Sequence, residues 1–545
     1  MKAKKLYTCL LFIGCCMLAK ANNYYINAAT GSDDNKGNNQ GNPLKSIQAL
    51  NKINFSAGDS IFFASGQEFS GMLNLENVKG TANAPIVVTK YMFKNNASNP
   101  IIDAGEALQA ILIENSSFIK VMHLEITGKV PYNNPSVDKK EAMRCGILVK
   151  VSKDADYEQI ILSNIKVHNV FFYPPGFTRT AAETKSANGT QSYGWGIRFI
   201  NNTKFGKLNH IEVSHTEISK VSHTGLKFTA TKNGINNIVV ANCKVFQTGG
   251  PGMQFSGVTN AHIHHNSIDH SGSIEDTRNW GRGSGLWTWG CSNFVIEHNR
   301  FENANGPGDS AGIHIDFNCN DIVVQYNFSA NNAGGFCEIL GNNYNCAYRY
   351  NISVNDGYRV KGEYGAFQEG KIFWLSGYQG NQKKNAGPYN SYFYNNTMYV
   401  SADITPKMAV SSSTSGMLVA NNIFYFEKRA QMVSGDQKKV EIDDENYANA
   451  IVENNLFLHK NNWPDELPLQ NKQATIGDAA FAKKGGLALI DYLPTNKKLV
   501  VNKGIVIKPI PNDTIGLKIG LQVEKDILGN AINGLPDMGA IEIPQ

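Results

Sequence analysis

His314 and Asp316 in SAGIHIDFNCN, and Glu338 in GGFCEILGN, are residues whose types and spacing suit acid–base chemistry. Ile313, Ile315 and Phe317 alternate with the first two, so a strand burying the apolar set turns His314 and Asp316 outward. Two carboxyl groups held close can act as the acid and the nucleophile or base of a glycosidase. Crowding raises the pKa of one and keeps it protonated. Asp309, in the preceding GPGDS loop, is a third acid on the rim. Asp316, Glu338, His314 and Asp309 therefore form the expected catalytic group.

Six segments opened by glycine run alongside: GIRF, GLKF, GMQF, GLWTW, GIHID and GFCEI. Their third positions are Arg198, Lys227, Gln254, Trp287, His314 and Cys337. With their neighbours inward, the first five line an open groove. An aromatic plate there stacks on a sugar ring, and Arg with Lys engages carboxylate or sulfate. The insertion EDTRNWGRGSGLWTW adds Asp276, Arg278, Trp280 and Arg282, and NDGYRVKGEYGAFQEGKIFW adds Arg359 with Lys361, Glu363 and Glu369. Arg198, Lys227, Gln254, Trp287, Arg282 and Arg359 form the expected substrate-binding set. Tyr358 with Arg359 would suit the base and charge neutraliser of a lyase.

These side chains need a scaffold that repeats. ILSNIKV, IEVSHTEI, VVANCKV, HIHHNSI, VIEHNRF, VVQYNFS, AYRYNIS, YFYNNTM, LVANNIF and IVENNLF share one alternating pattern around a polar residue. The recurring position reads Asn164, His215, Asn242, Asn266, Asn299, Asn327, Asn351, Asn396, Asn422 and Asn455. Asn tolerates a left-handed turn, and an inward amide can bond both turn backbone and the Asn of the next coil. A β-propeller would instead show four strands per unit of about 40–50 residues. The pattern predicts an all-β chain, a right-handed parallel β-helix.

Two alignments place Glu338 differently. His314 and Glu338 each stand 13 residues before a ladder asparagine, Asn327 and Asn351, which puts them side by side on adjacent coils. Aligning the opening glycines pairs Glu338 with Ile315 instead and turns it inward.

Residues 24–60 contain an opening strand, a Gly/Asn loop and a short amphipathic helix that would cap the open end of a solenoid. The opening YYIN…GSDDNKG…P…AL…AGDSIFF, the repeats and the closing LPDMGAIE resemble right-handed β-helix proteins of the pectate-lyase-like superfamily. The resemblance spans nearly all of residues 22–545 and implies that fold and carbohydrate chemistry. It supplies no signature strict enough to choose the reaction. The expected organisation is an export signal at 1–21, a cap and first strands at 22–70, and a β-helix with loop insertions and a C-terminal cap at 71–545.

Lys2, Lys4 and Lys5 precede an apolar run from Leu6 to Leu18, and Ala19-Lys20-Ala21 supplies a cleavage site after Ala21. The run is too short to span a bilayer, which takes about 20 apolar residues. Processing at Cys15, leading to a lipid anchor, is the alternative. The signal holds four lysines and no acid, so its removal drops the formal charge from +5 to +1. A basic surface for nucleic acid is thereby excluded. Cys145, Cys243, Cys291, Cys319, Cys337 and Cys346 remain, without metal-like pairing, and read as stacked buried thiols. No cofactor is expected; GSDDNKGNN at 31–39 offers acids for Ca²⁺ but not the spacing of a calcium loop.

The combined expectation is a secreted or periplasmic glycoside hydrolase acting on a polysaccharide or oligosaccharide of acidic character. The second reading is a polysaccharide lyase, and the third a non-catalytic carbohydrate-binding solenoid.

Overall fold

The computed structural model describes residues 21–129, 132, 142–186, 190–231, 233–435 and 447–544. The export signal and Cys15 lie outside the described residues, apart from Ala21. The alternating segments form strands of three sheets with 14, 12 and 14 members, and strand-to-strand pairing is parallel throughout. The chain is a parallel β-helix.

Alternation sets the interior. In the 12-stranded sheet Ile147, Ile197, Leu226, Met253 and Leu286 follow one another in register, each fully buried. Two positions further along, Phe199, Phe228 and Phe255 stack with centroids 4.5 and 5.0 Å apart. Each such side chain contributes roughly 1.5–3 kcal/mol by leaving water, and only the next coil can cover it.

The expected capping helix is a single turn, Ile47–Leu50, with Ser46 at its N-cap. Asn51, just after it, donates to the Met72 carbonyl and accepts from the Asn74 amide, closing the edge of the first strand of the 12-stranded sheet. In the GSDDNKGNN loop, the Asp33 carboxylate accepts from the Lys45 and Ser46 amides and the Ser46 hydroxyl.

The asparagine ladder needs a correction. Asn164, His215 and Asn242 have φ near +50° and occupy the left-handed turn itself, as do His265, His298, Tyr326, Tyr350, Asn395, Asn421 and Asn454. The inward position is the next residue: Ile165, Thr216 and Cys243, then Asn266, Asn299, Asn327, Asn351, Asn396, Asn422 and Asn455. The two tasks assigned to one asparagine fall to consecutive residues, and a one-residue slip between segments merged them. In the true ladder each side-chain oxygen accepts from the backbone and amide N–H of the Asn one coil earlier. Asn299 donates both to Asn327, at 2.9 and 3.0 Å, and Asn327 both to Asn351, at the same distances. The amide also donates to strand carbonyls, as Asn327 does to Ile296 and Gln325 at 2.8 Å.

Beyond the strand Thr475–Ile476 the chain adds no further coil and runs along the outside. Tyr492, Val500 and Met538 pack on Ile352, Tyr399 and Ile423 of one sheet, and Ile507, Ile510 and Leu517 on Tyr350, Tyr392 and Leu418 of another. This segment covers the later strands of two of the three sheets. All six cysteines are buried and free, as stacked thiols require.

Asn327→Ala removes a group that serves two neighbouring coils and leaves the Asn299 amide and the Ile296 carbonyl without partners. Orphaned buried groups cost about 1–3 kcal/mol each. The variant is expected to lose on the order of 3 kcal/mol in urea denaturation, with amide-exchange protection falling first in the coils around Asn299 and Asn351. Unchanged stability and protection would contradict the ladder's role.

Candidate active site

The outward face of the 12-stranded sheet carries a cleft of about 1020 Å³. Its floor is one row of side chains in strict register: Arg198, Lys227, Gln254, Trp287 and His314. The next coil pairs Ile315 with Ile339, which sets His314 beside Glu338 and points Glu338 outward. Counting from the ladder therefore aligns this coil correctly and the glycine alignment does not. The glycine column ends because Phe336 stands where Gly312 stands one coil earlier, and Gly335 pairs with Ala311. Glycine is needed in the earlier coils for space: a Cβ on Gly285 would lie 2.6 Å from the Gly312 carbonyl oxygen and 2.7 Å from the Phe301 ring.

Every expected catalytic residue lines the cleft: Asp309, His314, Asp316 and Glu338. His314 Nε2 lies 3.2 Å from Glu338 Oε1 and 3.9 Å from Asp316 Oδ1. One imidazole nitrogen thus touches both carboxyl groups, whose oxygens are at most about 7 Å apart, within the span that glycosidase carboxyl pairs cover. Neither His314 nitrogen makes a well-directed hydrogen bond, and Glu338 Oε1 has none. Asp316 differs. It accepts from Trp287 Nε1 and from the Phe317 amide, both at 2.9 Å. Asn343 fixes the backbone beneath by donating to the Asp316 carbonyl at 3.0 Å.

Burial dominates the electrostatics. It pushes Asp316 up to about 7 against its two donors, and raises Glu338 well above the carboxylate range, helped by the charges of Asp309 and Asp316. Burial also lowers His314 to about 4, so the imidazole between the acids is neutral at physiological pH. Asp309 is the exception. Burial alone would raise it, but Arg282 grips both oxygens, at 2.9 and 3.0 Å, and the net shift is downward. Asp309 and the following Ser310 both have positive φ, 49° and 65°, a backbone state that non-glycine residues hold only when their surroundings insist.

Of the expected binding residues, Arg198, Lys227, Gln254, Trp287 and Arg282 line the cleft. Arg359 does not. Its guanidinium turns beneath the rim and donates to the carbonyls of Gly306, Asp309 and Gln368 at 2.9–3.0 Å, which makes it a positioning residue for the Asp309 loop. Tyr358 also lies outside the lining, and Glu369 pairs with Lys407. Asp276 and Arg278 pair with each other at 2.6 Å, with Arg278 over the Phe171 ring.

Most of the residues that sequence reasoning missed come from loops, while Trp195 lies on the strand Gly194–Asn201. Trp195, His223 and Trp280 form a continuous stack, with centroids 3.8 and 4.4 Å apart. Trp280 was visible in its insertion, but nothing local signals that Trp195 and His223 meet it. Phe317, Phe367 and Tyr378 complete the wall beside the acids.

A parallel β-helix with carboxyl groups clustered in a surface cleft is the class that fold and site define. No family profile matches the chain. It is 24% identical, over 95% of its length, to the lacto-N-biosidase of Bifidobacterium longum subsp. longum, of which it covers 36%. The chain therefore spans about a third of that curated relative. Among solved structures, the native GH136 lacto-N-biosidase from Eubacterium ramulus aligns with a TM-score of 0.55 at 20% identity, over 75% of this chain and 68% of that one. Its selenomethionine derivative gives 0.53 over 76% and 68%, also at 20% identity. These structures share the parallel β-helix fold.

Arg282→Gln leaves Asp309 buried without its cation, a change that costs about 3–5 kcal/mol in comparable buried pairs. Loss of the pair raises the Asp309 pKa, so protonation relieves the variant as pH falls. Thermal melts from pH 5 to 8 should show a deficit that is largest at pH 8. A deficit independent of pH would mean that Asp309 is not held ionised by Arg282.

Proposed function

We propose that the chain is a glycoside hydrolase that cleaves an oligosaccharide in this cleft, with Asp316 as the ionised carboxylate and Glu338 as the proton donor. The observation that carries the proposal is the contrast between two carboxyl groups around one neutral imidazole. Asp316 accepts two N–H bonds that favour its anion, whereas Glu338 Oε1 is buried with none. Glu338 would deliver its proton to the glycosidic oxygen as the C–O bond breaks. Asp316 would meet the sugar carbon, or the attacking water, from the other side. His314, stacked on Trp287 at 5.7 Å, keeps the two groups apart without neutralising either. Similarity to lacto-N-biosidases supports a lacto-N-biose-containing glycan as substrate. Lys2 to Ala21 supports an extracellular or periplasmic site of action.

A second donor is favoured by one observation. Asp309 stands on the rim in a strained left-handed turn, and strain of that kind gathers at functional sites. In that reading Arg282 releases Asp309 when substrate enters, and Asp316 keeps its role. The lyase reading loses Tyr358 and Arg359, which lie outside the cleft lining, and keeps His314, Lys227 and Arg198 on the floor.

Asp316→Asn should lower kcat/KM on lacto-N-biose glycosides by roughly 10³-fold or more with the fold retained. Glu338→Gln should be as slow on sugar leaving groups but close to wild type on nitrophenyl glycosides, which need no proton. If Asp309→Asn shows that leaving-group pattern and Glu338→Gln does not, the donor is Asp309. Full activity in Asp316→Asn contradicts both.

Asp316 must be ionised to act, so activity should fall as pH drops through about 7. Trp287→Phe removes a donor that lowers this pKa, and should move the acid limb of the pH–rate profile to higher pH. An unmoved limb would assign it to another group.

A further inference from the structure

We infer that the end of the cleft away from the acids is a subsite for an anionic substituent, a sulfate or carboxylate carried by the glycan. The inference rests on the hydrolase reading only for the identity of the glycan. Arg198 and Lys227 are neighbours in the floor row, and both reach the Trp195 ring, at 4.3 and 5.0 Å. Lys227 stands three strand spacings from His314, roughly 14 Å at about 4.8 Å per strand. A glycan cut at the acids would lay a ring a few residues away over these cations.

Among the described residues nothing answers their charge. Among the described residues no carboxylate pairs with either cation, and Arg198 bonds only the neutral Gln191 and Met143 side chains. Arg198 is 6% exposed and its Nε has no partner. Gln254, next in the row and equally buried, leaves its side-chain oxygen unpaired. A buried Arg198 beside a half-buried Lys227 without a counter-ion is costly, and such groups are ordinarily paired. Burial and Arg198 together hold Lys227 well below its usual range, and burial with the neighbouring cations lowers His223 in the same way. An arriving sulfate or carboxylate supplies the missing charge in a water-poor site, where charge-assisted hydrogen bonds are strongest.

The test is calorimetric binding, which needs no turnover. The probes are lacto-N-biose, the same disaccharide bearing a sulfate ester, and the same bearing a carboxylated sugar, with matched triplets of other glycans. At least one anionic probe should bind ten-fold or more tightly than its neutral partner, and the member that does so identifies the source of the charge. Lys227→Met and Arg198→Met should abolish the preference, bringing each anionic probe to within two-fold of its neutral partner. Both substitutions remove an uncompensated cation, so Tm should hold or rise. Equal binding of neutral and anionic probes, no binding of any anionic probe, or a preference that survives both substitutions overturns the subsite. So does a fall in Tm with loss of neutral binding, which would make the cations structural. Failure of the hydrolase reading would leave these affinities in place and appear only as absent cleavage.

Discussion

The inward asparagine amide is the constraint on which the molecule depends. A coil that turns through a left-handed residue leaves strand carbonyls and the next amide facing a dry interior, and each needs a partner. From Asn266 to Asn455 one side chain answers that need and binds its counterpart one coil away. Register then becomes a property of the stack rather than of single strands. Any outward position repeats as a row, so Arg198, Lys227, Gln254, Trp287, His314 and Glu338 meet although they span 140 residues of sequence. The three earlier coils, with Ile165, Thr216 and Cys243 in that place, rely more on apolar packing and on a thiol that donates to carbonyls at 3.4–3.5 Å.

The second organising quantity is the low dielectric of the cleft. Burial is the largest influence on Asp316, Glu338, His314, Arg198 and Lys227 alike, and in each it disfavours the charged form. What distinguishes the two ends is what surrounds the charge. At the acid end Arg282 neutralises Asp309 and leaves Asp316 and Glu338 to share the remaining field. At the cationic end no acid among the described residues compensates. The chain so gives up stability along the cleft face, as expected where function overrides packing.

Much of this was legible in the sequence because solenoids translate periodicity directly into space. Alternation gave the inward and outward sets, and a count from Asn327 and Asn351 put His314 beside Glu338. The reading went astray where two positions one residue apart carry similar residues. Asn242 in VVANCKV and Asn266 in HIHHNSI look alike, yet one is the turn and the other the ladder. Gly335 similarly stood in for Phe336 in the glycine column. Loop-borne geometry was invisible: Arg359 turns beneath the rim, and His223 and Trp280 reach Trp195 from outside the strands along paths no periodicity encodes.

The central claim is that a protonated and an ionised carboxyl group stand together around His314 at neutral pH. Carbon-13 NMR of protein labelled at the Asp and Glu carboxyl carbons, titrated with and without Glu338→Gln, tests it most directly. The account predicts a Glu338 signal still in its protonated position at pH 7, an Asp316 signal titrating near that pH, and an Asp309 signal ionised throughout the range. A Glu338 signal that is fully ionised at pH 5 and above would contradict it.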